Sequence, residues 1–166
     1  LAPDALAKLD VNQTHAQSTG SVIAVPKDTS PPAGYSLYKR SDRDETLVWE
    51  EKAPVSVARM VSGAETIDGK IYLVGGRDVS ATSLSERYDP VANQWETLPS
   101  MSVARSSHTT AVLNGKLYAI GGYGLSSVEI FDPQTGQWSA GPNLPGISYS
   151  GAAIACYGKI FYIGGR

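Results

Sequence analysis

NGKLYAIGG, residues 114–122, is the stretch on which the reading of this chain turns. Related stretches are DGKIYLVGG at 68–76 and YGKIFYIGG at 157–165, offset by 46 and then 43 residues. Three copies at nearly constant spacing identify an internal repeat, and a repeat of this length is one supersecondary unit stacked against its neighbours. In the middle copy, Asn114-Gly115 is a strong short hairpin signal. It predicts a strand over 107–113 and a returning strand over 116–120, with Leu117 and Ala119 on one face and Tyr118 and Ile120 on the other. The nearly unbroken apolar run predicts burial on both faces. Residues 127–131 and 137–140 read as a third and a fourth strand, ended by Asp132-Pro133 and Gly141-Pro142.

The same period governs the flanks. Trp49, Trp95 and Trp138 fall at the 46 and 43 spacing. WEEKAPVSVAR and WETLPSMSVAR align almost residue for residue, so Arg59 and Arg105 each follow a tryptophan by ten residues, while Ser148 takes that place in the third copy. Tyr88-Asp89-Pro90 and Phe131-Asp132-Pro133 each place an aromatic seven residues before a tryptophan. Four short antiparallel strands per period of about 45 residues are the pattern of a propeller blade.

The double glycine, the aromatic-Asp-Pro and the tryptophan seven residues after that aromatic together resemble the Kelch repeat, over residues 47–166. The resemblance implies an all-β fold: a partial Kelch-type β-propeller with two complete four-stranded blades, parts of two others and an irregular N-terminal extension. Trp49 would close an upstream blade, and the last would stop after its second strand. Propellers have about four to eight blades. The chain is therefore expected to be a piece of a longer protein, or else one of several chains sharing an assembly. The repeat signature is Gly75-Gly76, Gly121-Gly122, Gly164-Gly165, the three tryptophans, Arg59 and Arg105. These are expected to be framework: glycines where a buried strand turns sharply, arginines bonded to carbonyls between blades. Tyr72, Tyr118 and Phe161 are expected to fill the space between blades with the tryptophans. Glu86 and Glu129 read as blade framework. The lost arginine at Ser148, and Arg77 standing where the next repeat has Tyr123, mark differences between blade connections.

Upstream, residues 1–19 read as a short helix and linker, with Pro3 and Asp4 suited to a first turn, a sequon at Asn12 and His15 in a polar stretch. Residues 20–46 are rich in strand and turn signals. Gly20, Ser21, Val22, Ile23, Pro32, Gly34 and Tyr35 resemble the opening of the phage tail-collar segment.

With 42% hydrophobic and 18% charged residues the chain is expected to be mostly globular. A net charge of −2 and no basic run argue against nucleic acid. No apolar span predicts a membrane helix. One cysteine, Cys156, ends a small apolar run and is expected to be a buried thiol. Two separated histidines, His15 and His108, supply no clustered metal ligands. No nucleophile motif or phosphate-cradling loop appears, so neither cofactor, metal nor catalytic residue is assigned.

The expectation is a non-catalytic binding module. Its loops, chiefly 77–83, 123–126 and the segments after each tryptophan, would present a face to a protein or glycan. The collar-like stretch points to a surface or fibre-associated protein, such as a tail fibre or adhesin. The location would be extracellular or at a virion or cell surface, with the cytoplasm as alternative. Self-association through open blade edges is a further expectation. Rival readings implied by the Kelch resemblance are an intracellular adaptor, a fragment of a propeller enzyme such as a copper radical oxidase or sugar epimerase, and a structural subunit of an oligomer or filament.

Overall fold

A computed structural model describes residues 50–166, together with strands β1 (Ile23–Pro26) and β2 (Tyr35–Lys39). The helix expected near Pro3, the sequon at Asn12, His15, the turn-rich run 27–34, the loop 41–46 and Trp49 lie outside the described residues. The chain forms two units, Leu1–Ala58 and Arg59–Arg166. In the first, β1, β2 and β3 (Glu50–Glu51) make an antiparallel sheet in that order, with Ala24 opposite Leu37 and Tyr38 opposite Glu51. The residues that follow Trp49 thus share a sheet with the collar-like stretch.

The second unit carries the repeats. The first blade is β4 (Gly63–Ile67), β5 (Lys70–Val74), β6 (Ser85–Asp89) and β7 (Gln94–Leu98). The second is β8 (Thr109–Leu113), β9 (Lys116–Ile120), β10 (Val128–Asp132) and β11 (Gln137–Ala140). Both sheets are antiparallel in chain order. A third sheet pairs β12 (Gly151–Cys156) with β13 (Lys159–Gly164). The described residues contain no helix.

Turn chemistry sets the registers. Asp68-Gly69, Asn114-Gly115 and Tyr157-Gly158 all have positive φ at both central positions, the mirror-image turn whose twist matches a hairpin. β8 starts at Thr109 rather than at residue 107 because Ser107 adopts φ 54°, and its N–H donates to Val61 O at 3.1 Å. The aromatic-to-tryptophan spacing becomes a cross-strand pair. Tyr88 stands opposite Trp95 and Phe131 opposite Trp138, with ring centroids 5.1 and 5.2 Å apart. Tryptophan is half-buried in both pairs, and Trp138 Nε1–H donates to Pro99 O at 2.9 Å.

The core lies between blades. Ile67, Tyr72 and Val74 of the first blade pack with Met101 against Leu117, Ala119 and Phe131 of the second. Ala111, Ile120 and Val128, on the other face, pack with Ala153, Ile160 and Tyr162 of the third sheet. Burying each large apolar side chain stabilises the fold by about 1.5–3 kcal/mol. The alternation along β9 thus buries Leu117 and Ala119 toward one neighbour and Ile120 toward the other, as the unbroken apolar run predicts.

The outward face of the third sheet departs from expectation. Cys156 is a free, exposed thiol rather than a buried one. Strand alternation places it beyond Ala152 and Ile154 on the face of β12 that packs against no other described sheet. Phe161 is exposed on that same face, whereas Tyr72 is buried and Tyr118 half-buried between blades.

Candidate binding face

Strand direction sorts the connections onto two ends. One end carries the tight hairpin turns at 68–69, 90–93, 114–115, 133–136 and 157–158. The other carries the longer segments 75–84, 99–108, 121–127 and 141–150. At the hairpin end Asp89 accepts from Lys70 Nζ at 2.9 Å and from the N–H groups of Val91 and Ala92 at 2.9 and 3.1 Å. The Lys70 ammonium first, then those two N–H groups, hold its carboxyl at about 2. Lys116 and Asp132 repeat the pair at 2.8 Å, and Lys116 likewise holds Asp132 below the ordinary carboxylate range. These carboxylates close turns.

Buried ion pairs hold the connections at the other end. Arg105 Nη1 donates to Gly121 O at 2.7 Å and Ser127 O at 3.0 Å, while Nη2 donates to Glu129 Oε1 at 2.8 Å. Glu129 also accepts from Ser102 N–H and Oγ, both at 2.7 Å, and from Val103 N–H at 3.1 Å. Burial pushes this carboxyl up, but the guanidinium and the Ser102 and Val103 donors outweigh it and hold it below its ordinary value. Arg59 and Glu86 form the corresponding buried pair at 2.6 Å. At Ser148 the guanidinium is absent but the backbone role persists: Gly122 N–H donates to Ser148 O at 2.9 Å, as Gly76 N–H does to Arg105 O at 2.9 Å.

The glycine pairs sit under these crossings. Gly121 has φ +63°, and a Cβ there would lie 2.3 Å from Ser148 O. Gly75 is placed alike, 2.6 Å from Arg105 O. Gly76 and Gly122 are buried beside them, and Gly164-Gly165 end β13 exposed. His108 is packed against Gly63, Gly75 and Gly122 where the two complete blades meet. Burial pulls its imidazole down to about 4, and the Arg105 charge adds to that. Sequence reasoning names the glycines, tryptophans, arginines and the two glutamates as framework, but not the pairing of Arg59 with Glu86 and Arg105 with Glu129, nor Lys70 and Lys116 as partners of Asp89 and Asp132. The recurrence of Lys70 and Lys116 inside the quoted stretch was the available signal for the two lysines.

Above this frame lies a lip of exposed side chains. Antiparallel bridges join Met60 to Arg77, and equivalent backbone hydrogen bonds join Ser106 to Tyr123 and Tyr149 to Arg166. Tyr123 is 72% exposed and stacks edge-on against Tyr149 at 5.3 Å. Arg77, Val79 and Ile147 are also exposed at this end. Among the described residues no group of three or more His, Cys, Asp or Glu is placed to hold a metal ion, and no helix is long and apolar enough to cross a membrane.

The family profile described as Kelch motif matches residues 62–102 and 104–145. The chain belongs to the Kelch-motif family. Each match spans one four-stranded Kelch blade with part of the connections beside it. The solved structure of YjhT is similar in fold, with a TM-score of 0.72 at 20% sequence identity. The match covers 87% of this chain and 56% of that one, so the chain spans little more than half of that protein's length. No curated protein matches the chain.

Proposed function

We propose that this Kelch chain is a non-catalytic binding module whose loop-bearing end receives a protein partner. The observation that carries the reading is the division of the two ends. The hairpin end is closed by short turns and paired Lys–Asp groups and exposes Val91 and Tyr157 in separate turns, while the opposite end displays Arg77, Val79, Tyr123 and Ile147 on longer segments above a buried frame. Exposed aromatic and arginine side chains on a fixed scaffold are the chemistry of protein recognition. The collar-like stretch favours an extracellular or virion-surface protein with a fibre or adhesin role, for which a glycan is the rival ligand. The experiment is paired replacement: Gly-Ser substitution of 78–81 and 123–126 against substitution of 133–135, with immobilised partner proteins and glycan arrays as probes. Loss of binding only in the first set supports the reading; equal loss or no loss in both sets counts against it.

Self-association is a second reading, favoured by one observation. The face of β12 and β13 bearing Ile154, Phe161 and Ile163 is apolar and exposed. Sedimentation of the wild-type chain beside Ile154→Lys/Ile163→Lys tests it: a concentration-dependent assembly abolished by the substitutions supports it, and a monomer in both cases refutes it.

A further inference from the structure

Asparagine before glycine is a labile pair as well as a turn signal. The attacking group in deamidation is the backbone nitrogen of the next residue. A side chain on that residue shields the nitrogen, and a hydrogen bond from its N–H holds it in place. Asn93, Asn114 and Asn143 differ on these counts. After Asn143, the Leu144 N–H donates to Ser126 O at 2.8 Å. Asn93 is tied at its own side chain, whose Oδ1 accepts from Tyr88 OH at 2.6 Å, and the next residue, Gln94, opens β7. Asn114 and Gly115 are exposed at a hairpin tip. The last pair of their ladder is Leu113 with Lys116, which leaves the Gly115 N–H outside it. Nothing lies within 4 Å of where a Cβ on Gly115 would stand. The Asn114 carboxamide thus has room to swing onto that nitrogen, and glycine's conformational freedom lets the tip deform while the strands stay paired.

The chemistry needs only water. The Gly115 nitrogen, its proton lost to solvent, bonds to Asn114 Cγ, and the side-chain nitrogen leaves as ammonia. Water then opens the five-membered imide at either carbonyl, with no change of oxidation state. Opening at Cγ gives an aspartyl residue; opening at the backbone carbonyl gives isoaspartyl, with the chain rerouted through the side chain. The repeats tell the two products apart. Asp68-Gly69 already forms this turn in the first blade, with φ of 49° and 72° against 52° and 71° at Asn114-Gly115. The aspartyl product therefore fits. The isoaspartyl product adds a methylene to the backbone of a two-residue turn whose length sets the register. It strains the pairing of β8 with β9, the strand that carries buried Leu117, Ala119 and Ile120 and the Lys116–Asp132 pair at 2.8 Å.

We infer that Asn114-Gly115 is a site of spontaneous deamidation in the folded chain, and that its isoaspartyl product loosens the second blade. The test ages the full chain in mildly alkaline buffer, folded and in urea, and maps it with trypsin. The three asparagines fall in separate peptides, 88–105, 106–116 and 117–159. The expected result is the amide-to-acid mass increase in 106–116, resolved into two products, one of which accepts a methyl group from an isoaspartate methyltransferase. Its lead over the other two peptides is at least about fivefold larger in the folded chain than in urea, the factor one hydrogen bond is worth. Equal leads in the two states overturn the inference, because the fold then selects nothing. So does a folded chain in which 106–116 stays unchanged while it converts in urea. The consequence is read on the acidic fraction that ion exchange separates from the aged chain. Its isoaspartyl component unfolds at lower urea than wild type, whereas Asn114→Asp keeps the wild-type midpoint. An isoaspartyl fraction with the wild-type midpoint, or an Asn114→Asp chain that loses as much, overturns the second half.

Discussion

Replacing Arg105 by Met tests the frame most severely. The Arg105 side chain is fully buried, and removing its charge leaves four acceptors deprived: Gly121 O, Ser127 O, Ser127 Oγ and Glu129 Oε1. Glu129 keeps the Ser102 and Val103 donors but loses its only cation among the described residues. Breaking a buried pair by removing one partner costs about 3–5 kcal/mol, because the remaining charge stays out of water. That is a large share of a domain stability of roughly 5–15 kcal/mol. Urea denaturation followed by tryptophan fluorescence measures it, since Trp138 reports on the same blade. Glu129→Gln in the Arg105→Met background keeps one acceptor oxygen, enough for Ser102, while removing the stranded charge. The double variant is expected to be about 2 kcal/mol more stable than Arg105→Met alone, and the four-way cycle, with Glu129→Gln as the other single variant, gives the coupling energy of the pair. A single-variant cost below about 1 kcal/mol, as for an exposed pair, refutes the claim that this crossing holds the blade. So does a double variant no more stable than Arg105→Met.

Three further outcomes are expected. The His108 imidazole is held down to about 4 in the folded chain, against an ordinary value of 6.5. The unfolded chain therefore takes up the proton first. Stability from this group is complete above pH 6.5 and is lost as pH falls toward 4, on the order of 3 kcal/mol in all; denaturation midpoints of wild type and His108→Gln across that window check it, the variant losing the steep part. Gly121→Ala, which puts a methyl 2.3 Å from Ser148 O, is expected to cost at least about 2 kcal/mol more than Gly115→Ala, where nothing lies within 4 Å and the left-handed φ is shared; equal losses in calorimetry would show the crossing to be loose. Cys156, exposed at the end of β12, reacts with a thiol reagent at the rate of an unfolded control, without denaturant.

Local chemistry made most of the fold legible. Asn114-Gly115 fixes a hairpin by itself, and the seven-residue interval between aromatic and tryptophan is what a cross-strand pair over a short turn requires. The arginine-to-glutamate pairs stayed hidden because their separation varies. Arg59 reaches Glu86 while Arg105 reaches Glu129, and the loop from 77 to 84 is three residues longer than its counterpart, so no fixed interval links them. The misplacement of Cys156 has another cause. Pattern along one strand says which residues share a face, but only a neighbouring sheet decides whether that face is covered. Of the candidate surface, the sequence exposes the loops; the placing of Ser107 beside Val61, and of Ser150 beside Ser107, depends on hydrogen bonds between blades, which no single repeat reveals.

The clamp at Arg105 also bears on how such a chain lengthens. Arg105, Lys116, Glu129, Asp132, Phe131 and Trp138 find their polar or aromatic partners inside one stretch of about one repeat. Across the junction between blades the contacts are mostly apolar faces and backbone groups, which are less particular about sequence. A tandem gene duplication that copies one repeat from Pro99 onward therefore carries Arg105 with Glu129, Lys116 with Asp132 and Phe131 with Trp138, along with the Ser102 and Pro99 partners of Glu129 and Trp138. The new copy is born with its internal clamp intact and needs no matched change elsewhere, which leaves its lip free to diverge, as Val61 has from Ser107 and Ser150.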